Sequence, residues 1–347
     1  MTDVLASFLD STTGRATGPD APAGATPTVA AVVIGRNEGA RLVACLDSLA
    51  PQAPRLVYVD SGSTDDSVAA ARARGAQAVE LDTAVPFTAA RARNAGADAL
   101  RADGLPDFIQ FVDGDCAVEP GWIDAAAAAL AADPGLGLVT GWRSEMHPEA
   151  SVFNRMAEAE WHRPAGPIRT CGGDMMVRTT AFEQVGGFDP TVIAAEDDEF
   201  CLRLGKAGWR LERIPVPMTR HDMAMTSPVA FWRRAVRSGH GFAQMGDMHP
   251  PHLRRERLRS WFHGGLLPLA FFGGIVGLGG LEFVVLGAWL LLTLRTARNL
   301  ARTGLGVAES LHQAAWLSFS KLPNLIGLLT YQLRRARGGA MRIIEYK

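Results

Sequence analysis

The sequence predicts an α/β fold in which a doubly wound, mostly parallel sheet is covered by helices. From residue 28 onward, short apolar runs alternate with longer stretches of helical periodicity, a pattern typical of parallel strands joined by crossover helices. Hydrophobic residues make up 48% of the 347-residue chain, which is enough for a large core with an appended segment. The formal net charge is −1, so we expect no nucleic-acid partner.

The predicted strands and helices alternate along the first third of the chain. Strands are expected at residues 28–35, 55–60, 76–81 and 107–113. Helices are expected between them at residues 38–50, 65–75 and 88–103. In parallel sheets of this kind, ligands bind beyond the carboxyl ends of the strands. The residues that follow each strand are therefore the first candidates for a site.

Acidic residues end two of these strands. Asp60 ends the second strand, and Asp113-Gly114-Asp115 ends the fourth. Asp and Gly also favour tight turns for local reasons, and a polar turn is the alternative interpretation. Because both groups should open onto the same crevice, we favour a functional role. Two carboxylates separated by a glycine suit a divalent cation that prefers oxygen ligands.

A second acidic cluster lies in the less regular second half of the chain. Four consecutive acids, residues 196–199, begin a predicted helix that runs to about Lys206, and a strand follows at 210–216. Acids are favoured at helix N-termini whatever the function, so complementation of the helix dipole is the alternative. The sharply defined junction with the following strand favours a functional site.

Six motifs, in this order, resemble the family 2 glycosyltransferases with the GT-A fold. They are VVIGRNEGARLVACLDSL, YVDSGSTDDS, AARARNAG, VDGDC, GGDMMVR with VGGFD, and EDDEFCLRLGKAGW. Four residues depart from the common pattern of the family. Gly35 and Arg36 stand where Pro and Tyr are frequent, Ser61 replaces a second acid, and Asp174 replaces Asn.

The resemblance implies a domain organisation and an activity. Residues 28–245 would be a GT-A domain, with a nucleotide-sugar half at 28–118 and an acceptor half at 119–245. Residues 1–27 would be a flexible lead-in, and residues 246–347 a basic and hydrophobic helical tail associated with a membrane. The enzyme would be a metal-dependent inverting hexosyltransferase. It would move a sugar from a nucleoside-diphosphate sugar to a hydroxyl of a glycan or lipid-linked acceptor.

The same resemblance assigns the metal and donor residues. Asp115 would contact Mg²⁺ or Mn²⁺, Asp113 the ribose or a metal-bound water, and His221 could supply a third ligand from the opposite wall, although a lone His is often structural. Asp60 would accept a hydrogen bond from the base, which favours a UDP-sugar. The nucleotide-sugar would be bound by Gly35, Arg36, Glu38, Asp60, Arg93 and Asp113.

The resemblance also assigns the acceptor side and the general base. An acceptor hydroxyl is a poor nucleophile and needs a base within reach, and the matching residue is Asp197. Its acidic neighbours should raise its pKa. The acceptor would lie near Gly173, Asp174 and Glu196.

Two other functions are compatible with parts of this pattern. A nucleotidyltransferase should carry a Gly-rich basic loop after the first strand, but the loop here is GRNEG, without a lysine. A catalytically inactive, membrane-bound protein of GT-A type that only binds ligands would be expected to lose acids from the two clusters, and both clusters are present.

The tail contains a long apolar stretch, residues 264–294, with Glu282 as its one charge. A continuous helix of this length would extend roughly 46 Å, too long for one upright crossing and too short for two. The pair Gly279-Gly280 lies near its centre, and arginines flank both ends. We expect a short hairpin in the cytoplasmic leaflet of the cell inner membrane. A single tilted transmembrane helix and a helical pair packed on protein are the alternatives.

Overall fold

The computed structural model of the protein describes residues 26–161, 163–277, 279–339 and 341–344. The lead-in predicted over residues 1–27 lies outside the described residues, except for its last two.

Within this part of the chain, nine strands form one mixed sheet. They are β1 Val29–Gly35, β2 Arg55–Asp60, β3 Gln77–Glu80, β4 Phe108–Asp113, β5 Cys116–Val118, β6 Leu136–Glu145, β7 Gly166–Pro167, β8 Met175–Arg178 and β9 Arg210–His221. Their order is β3-β2-β1-β4-β8-β6-β9-β5, and β7 pairs with β9. The four strands predicted in the first third of the chain are confirmed, to within one residue at each end.

The helices before the tail are α1 Ala40–Leu49, α2 Ser67–Ala73, α3 Ala89–Arg101, α4 Trp122–Ala132, α5 Val152–Trp161, α6 Thr179–Gln184 and α7 Glu196–Lys206. Helices cover both faces of the sheet, as predicted. Residues Ala31 and Val33 of β1 pack with α1 and α4 in one hydrophobic cluster. Their neighbours Ala30 and Val32 pack with α3, α6 and α7 in another.

The prediction of a mostly parallel sheet is wrong for the second half of the chain. Strands β1 to β4 pair in parallel, and so do β6 and β9. However, β8 runs antiparallel to both of its neighbours, β4 and β6, and β5 and β7 run antiparallel to β9. A buried four-residue strand such as MMVR has the same apolar composition in either direction, so its sequence does not indicate how it runs.

The tail is helical and packs on the sheet domain. Its helices are α8 Pro228–Met248, α9 Arg254–Trp261, α10 Leu267–Val276, α11 Leu281–Ala301, α12 Val307–Phe319 and α13 Lys321–Ala336, with a π-helical turn between α9 and α10. Helix α8 continues past residue 245 and packs along α13. All four cysteines are buried and free, as expected for reduced thiols.

The apolar stretch of the tail folds as a helical hairpin. The turn between α10 and α11 contains Gly279-Gly280, where the sequence places it. The two helices approach closely, since a Cβ atom added at Gly274 would lie 2.5 Å from the backbone nitrogen of Glu282. None of the described helices is both long enough and apolar enough to cross a membrane.

Glycines allow α8 and α13 to pack backbone to backbone, which gives a test of this interface. A Cβ added at Gly327 would lie 1.9 Å from the carbonyl oxygen of Val236. We expect Gly327→Ala to lower the free energy of unfolding by about 1–3 kcal/mol, because neither backbone can move aside cheaply. Chemical denaturation measures this change.

Gly287→Ala is the matched control. Gly287 lies in α11, and an added Cβ would have nothing within 4 Å. Alanine has the higher helix propensity, so this control should leave stability unchanged or raise it by up to about 1 kcal/mol. Equal effects of the two substitutions would contradict close packing of α8 on α13.

Candidate active site

Two adjoining cavities lie at the carboxyl ends of the parallel strands. The β1 cavity has a volume of about 500 Å³ and is lined in part by Gly35, Arg36, Glu38, Ser61, Asp115 and His221. The α7 cavity has a volume of about 660 Å³ and is lined in part by Gly173, Asp174, Asp197 and His252. The wall that they share includes Arg93, Asp113, Arg143, Glu196, Arg234 and Arg237.

Arg93 of α3 holds this wall together. Its guanidinium is 2% exposed and donates to Glu196 Oε1 at 2.8 Å and to Asp113 Oδ1 at 2.7 Å. Burial alone would lower the pKa of Arg93, but Asp113 and Glu196 raise it above its ordinary value, so the group stays charged. Arg93 thereby connects the end of β4 to the start of α7. Its predicted contact with a diphosphate stays a prediction.

Asp115 and His221 form the pair best suited to hold a cation. Asp115 directly precedes β5, and His221 is the last residue of β9. Asp115 Oδ2 lies 3.0 Å from His221 Nε2, and both side chains are buried. Burial, and then Arg143, lower the pKa of His221 to about 4, so its imidazole is neutral. Within the described residues, the buried His221 Nδ1 has no hydrogen-bond partner. A neutral imidazole beside a carboxylate is a usual donor set for a divalent metal.

Cys116 is a third group at this position, which the sequence analysis did not identify. A thiol, a carboxylate oxygen and an imidazole nitrogen of Cys116, Asp115 and His221 lie within 4.8 Å of one another. Burial raises the pKa of the Cys116 thiol well above its ordinary value, and Asp174 raises it further. Since the thiolate is the form that binds metals, Cys116 is the weakest of the three candidates.

Asp113 is held differently from Asp115. One of its carboxylate oxygens accepts from Arg93, and the other lies 4.0 Å from the Arg143 guanidinium. Its backbone N–H donates to Asp174 Oδ1 at 3.0 Å. The two carboxylates predicted to share one metal therefore have different partners in this structure, although both line the β1 cavity.

Asp174 supports the site from beneath. Its carboxylate is buried and pairs with Arg143 at 2.6 Å, and it accepts from the Thr219 hydroxyl at 2.8 Å. Together with the backbone N–H of Asp113, these partners occupy both carboxylate oxygens of Asp174. The acceptor contact predicted for Asp174 stays a prediction. The sequence analysis missed Arg143, because its role depends on the position of β6, which the sequence analysis did not predict.

The turn after β2 is organised by Asp60. Its carboxylate is 3% exposed and accepts from the Tyr58 hydroxyl at 2.9 Å and from the backbone N–H groups of Gly62 and Ser63 at 2.9 and 2.8 Å. Ser61, one residue on, lines the β1 cavity. The contact of Asp60 with a base stays a prediction, but the structure shows that this residue shapes its own turn.

Arg36 lies at the mouth of the β1 cavity with its guanidinium 4.7 Å from the centre of the Phe87 ring. The planar group is thus already stacked on one side, the arrangement that suits contact with a flat ligand on the other. Gly35 and Glu38 line the same cavity.

Asp197 has a strongly perturbed carboxylate that lines the α7 cavity. It is half-buried in the first turn of α7. Burial raises its pKa well above the ordinary value for Asp, Glu196 and Asp198 raise it further, and Arg93 opposes them. Asp198 itself lies 3.2 Å from the His252 imidazole. A carboxylate with a raised pKa that faces a cavity is suited to accept a proton near neutral pH.

Comparisons with known proteins agree with this geometry. The family model "Glycosyl transferase family 2" matches residues 30–182, and "Glycosyl transferase family group 2" matches residues 108–301, more than half of the chain. The chain belongs to the family 2 glycosyltransferases. The resemblance found in the sequence motifs is thereby confirmed.

Several curated proteins are similar in sequence to this family member. A pre-mycofactocin glycosyltransferase of Mycobacterium tuberculosis is 27% identical over 318 residues, covering 85% of this chain and 61% of that protein. Succinoglycan biosynthesis protein ExoA of Rhizobium meliloti is 25% identical over 270 residues, covering 73% and 79%. The chain thus spans about three-fifths of the length of the mycobacterial relative.

A solved structure shows the same fold. The mannosyltransferase PcManGT from Pyrobaculum calidifontis, in complex with GDP-Man and Mn²⁺, superposes with a TM-score of 0.56 at 16% identity, covering 89% of this chain and 88% of that one. The mixed sheet of this glycosyltransferase is therefore of the GT-A type.

The shared wall of the two cavities requires a glycine at position 173. A Cβ added there would lie 2.2 Å from Arg93 Nη2 and 3.1 Å from Asp113 Oδ2. We expect Gly173→Ala to displace the buried Arg93–Asp113 pair, to lower the free energy of unfolding by about 1–3 kcal/mol and to reduce turnover at least roughly tenfold by misplacing both cavities.

Gly172→Ala is the control for this prediction, since its Cβ would lie 3.7 Å from the Arg143 guanidinium, an ordinary contact. Denaturation curves and turnover of both variants are compared. Normal turnover in Gly173→Ala would show that the Arg93 pair does not organise the site.

Proposed function

We propose that this family 2 glycosyltransferase moves a sugar from a nucleoside-diphosphate sugar to a hydroxyl of a glycan or lipid-linked acceptor, with inversion at the anomeric carbon. One observation carries the proposal. The Asp115–His221 pair lines the β1 cavity, the perturbed Asp197 lines the adjoining α7 cavity, and Arg93 lies in the lining that the two cavities share.

The donor would occupy the β1 cavity. Asp115 and His221 would hold Mg²⁺ or Mn²⁺, with Asp113 close by on the ribose or a bound water. Such an ion would neutralise the charge that develops on the diphosphate. Arg36 would lie against the base, and we favour a uracil base on the strength of Asp60 and its turn.

The acceptor would occupy the α7 cavity, near Gly173 and Glu196. Asp197 would accept the proton of the attacking hydroxyl while the oxygen forms a bond to the anomeric carbon. The bond from that carbon to the diphosphate oxygen breaks, and its electron pair leaves with the diphosphate. Because attack and departure use opposite faces, an α-linked donor would give a β-linked product.

The first test is an assay of the purified protein against a panel of sugar nucleotides with Mg²⁺ or Mn²⁺. We expect turnover of one of them, most readily a UDP-sugar, and its loss in excess chelator. Asp115→Asn and His221→Ala should each lower turnover by about 10²-fold or more because the ion is lost. Cys116→Ala, in the same group, is the matched control and should keep most activity. Full activity in excess chelator would contradict the proposal that Asp115 and His221 hold a divalent metal.

The second test concerns the general base. We expect Asp197→Asn to bind the donor normally and to lose turnover by roughly 10²–10⁴-fold. Because the pKa of Asp197 is raised, activity should fall as pH drops through a value above that of an ordinary Asp. Asp198→Asn removes a neighbouring negative charge, so this acid limb should move to lower pH. If Asp198→Asn loses more turnover than Asp197→Asn, the base is assigned to the wrong residue.

We further propose that the helical hairpin α10–α11 docks on the cytoplasmic face of the cell inner membrane. It exposes large apolar side chains, among them Leu269, Phe272, Val276, Phe283 and Leu291. Arginines precede α10 and follow the apolar part of α11, as suits an anionic lipid surface.

Co-flotation with phosphatidylglycerol vesicles tests this docking. Phe272→Ser and Phe283→Ser together should weaken vesicle binding at least about a hundredfold, since each buried ring contributes about 1.5–3 kcal/mol. Val85→Ser replaces an exposed apolar residue of the sheet domain and should have no effect. Complete release of the unmodified chain by salt alone would rule out insertion of the hairpin.

A further inference from the structure

A third cavity, of about 540 Å³, adjoins the α7 cavity. It lies between the loop before β8 and the start of α9, and its lining includes Arg169, His252, Leu253, Arg254, Arg255 and Glu256. Three of these residues, His252, Leu253 and Glu256, also line the α7 cavity. The third cavity therefore adjoins the α7 cavity at these three residues.

The third cavity carries an excess of positive charge. Arg169, Arg254 and Arg255 are exposed, and within the described residues no carboxylate forms an ion pair with any of them. The one acid in the lining, Glu256, also interacts with Lys321: burial and then Arg259 lower the pKa of Lys321, and Glu256 opposes them. Three guanidinium groups thus face a cavity with a single, shared carboxylate.

The position of two of these arginines is unfavourable without an anion. Arg254 and Arg255 are the first two residues of α9, where the positive end of the helix dipole disfavours cations. An anion in the cavity would pair with both guanidinium groups and relieve this repulsion. Arginine recognises phosphate oxygens with two parallel hydrogen bonds, so a phosphate ester suits the cluster better than a single carboxylate.

An apolar surface begins directly beyond the arginines. Leu258 of α9 lines the third cavity and is 57% exposed. Trp261, Phe262, Leu266 and Leu269 follow it toward and into α10 and are exposed as well. From the α7 cavity outward, the surface is therefore polar, then cationic, then apolar. A sugar joined through phosphate to a hydrocarbon chain has the matching order of groups.

We propose that the third cavity binds the phosphate or diphosphate group of a lipid-linked acceptor. The sugar of this acceptor lies in the α7 cavity, and its chain lies against α9 and the start of α10. The inference rests on the proposed function for the acceptor role of the α7 cavity, and it adds the chemical class of the acceptor and the residues that select it.

Binding of three probes to the full chain tests the proposal. The probes are farnesyl diphosphate, farnesol and inorganic diphosphate, measured by calorimetry with chelator present so that no diphosphate binds through a metal. We expect farnesyl diphosphate to bind at least tenfold more tightly than the other two, because only it fills both the cationic and the apolar parts. Equal binding of inorganic diphosphate would overturn the lipid-linked ligand, and equal binding of farnesol would overturn the phosphate site.

A pair of triple variants locates the site. Arg169→Gln/Arg254→Gln/Arg255→Gln should weaken farnesyl diphosphate binding at least tenfold. Arg72→Gln/Arg101→Gln/Arg337→Gln removes three other exposed arginines, outside the lining of the third cavity, and should weaken it less than twofold. If both triple variants lose the same amount of farnesyl diphosphate affinity, the ligand is attracted only by the net charge of the protein, and the proposed site is overturned. All these replaced side chains are exposed, and circular dichroism checks that the variants fold.

Turnover of sugar nucleotides by the unmodified chain is measured separately, so the two ideas fail independently. Absence of turnover would count against the proposed function without changing the binding result. If the unmodified chain turns over a sugar nucleotide, but both triple variants bind farnesyl diphosphate as tightly as the unmodified chain does, only the proposed phosphate site is overturned.

Discussion

The buried guanidinium of Arg93 is the interaction on which the site depends. A charge taken out of water costs several kcal/mol unless it is paired and hydrogen-bonded, and Arg93 meets this requirement with Asp113 of β4 and Glu196 of α7. Removing either carboxylate would take away one of the two hydrogen-bond partners of the buried guanidinium. The end of a strand from the first half of the chain and the start of a helix from the second half are therefore fixed to each other, and Gly173 must stay small beside them.

The ion pairs of the buried arginines also affect the protonation of the carboxylates in the site. Arg93 and Arg143 are committed to Asp113, Asp174 and Glu196. Asp197 has no such ion pair within the described residues. Burial raises its pKa, and the carboxylates of Glu196 and Asp198 beside it raise it further, which suits a base that must take up a proton.

Most of the fold and part of the site could be predicted from the sequence. The bounds of β2 and α7 follow from apolar runs and from acids at a helix start, both local signals. The direction of β8 is not local, and Arg143 looks like a solvated residue until β6 is placed beside Asp174. The orientation of a carboxylate is equally invisible in a sequence. Asp60 was found at the expected strand end, yet its oxygens face its own turn.

Helix α8 connects the tail to the two adjoining cavities. Its first half carries Arg234 and Arg237 into the wall of both cavities, and its second half packs against α13 through Gly239 and Gly327. Because α8 is one continuous helix of 21 residues, the positions of its two ends are fixed relative to each other. The apolar hairpin and the arginines of α9 are connected to that same helical layer. Wherever this layer docks, it fixes the direction in which the α7 cavity opens, and an acceptor held at that surface would reach Asp197 from one side only.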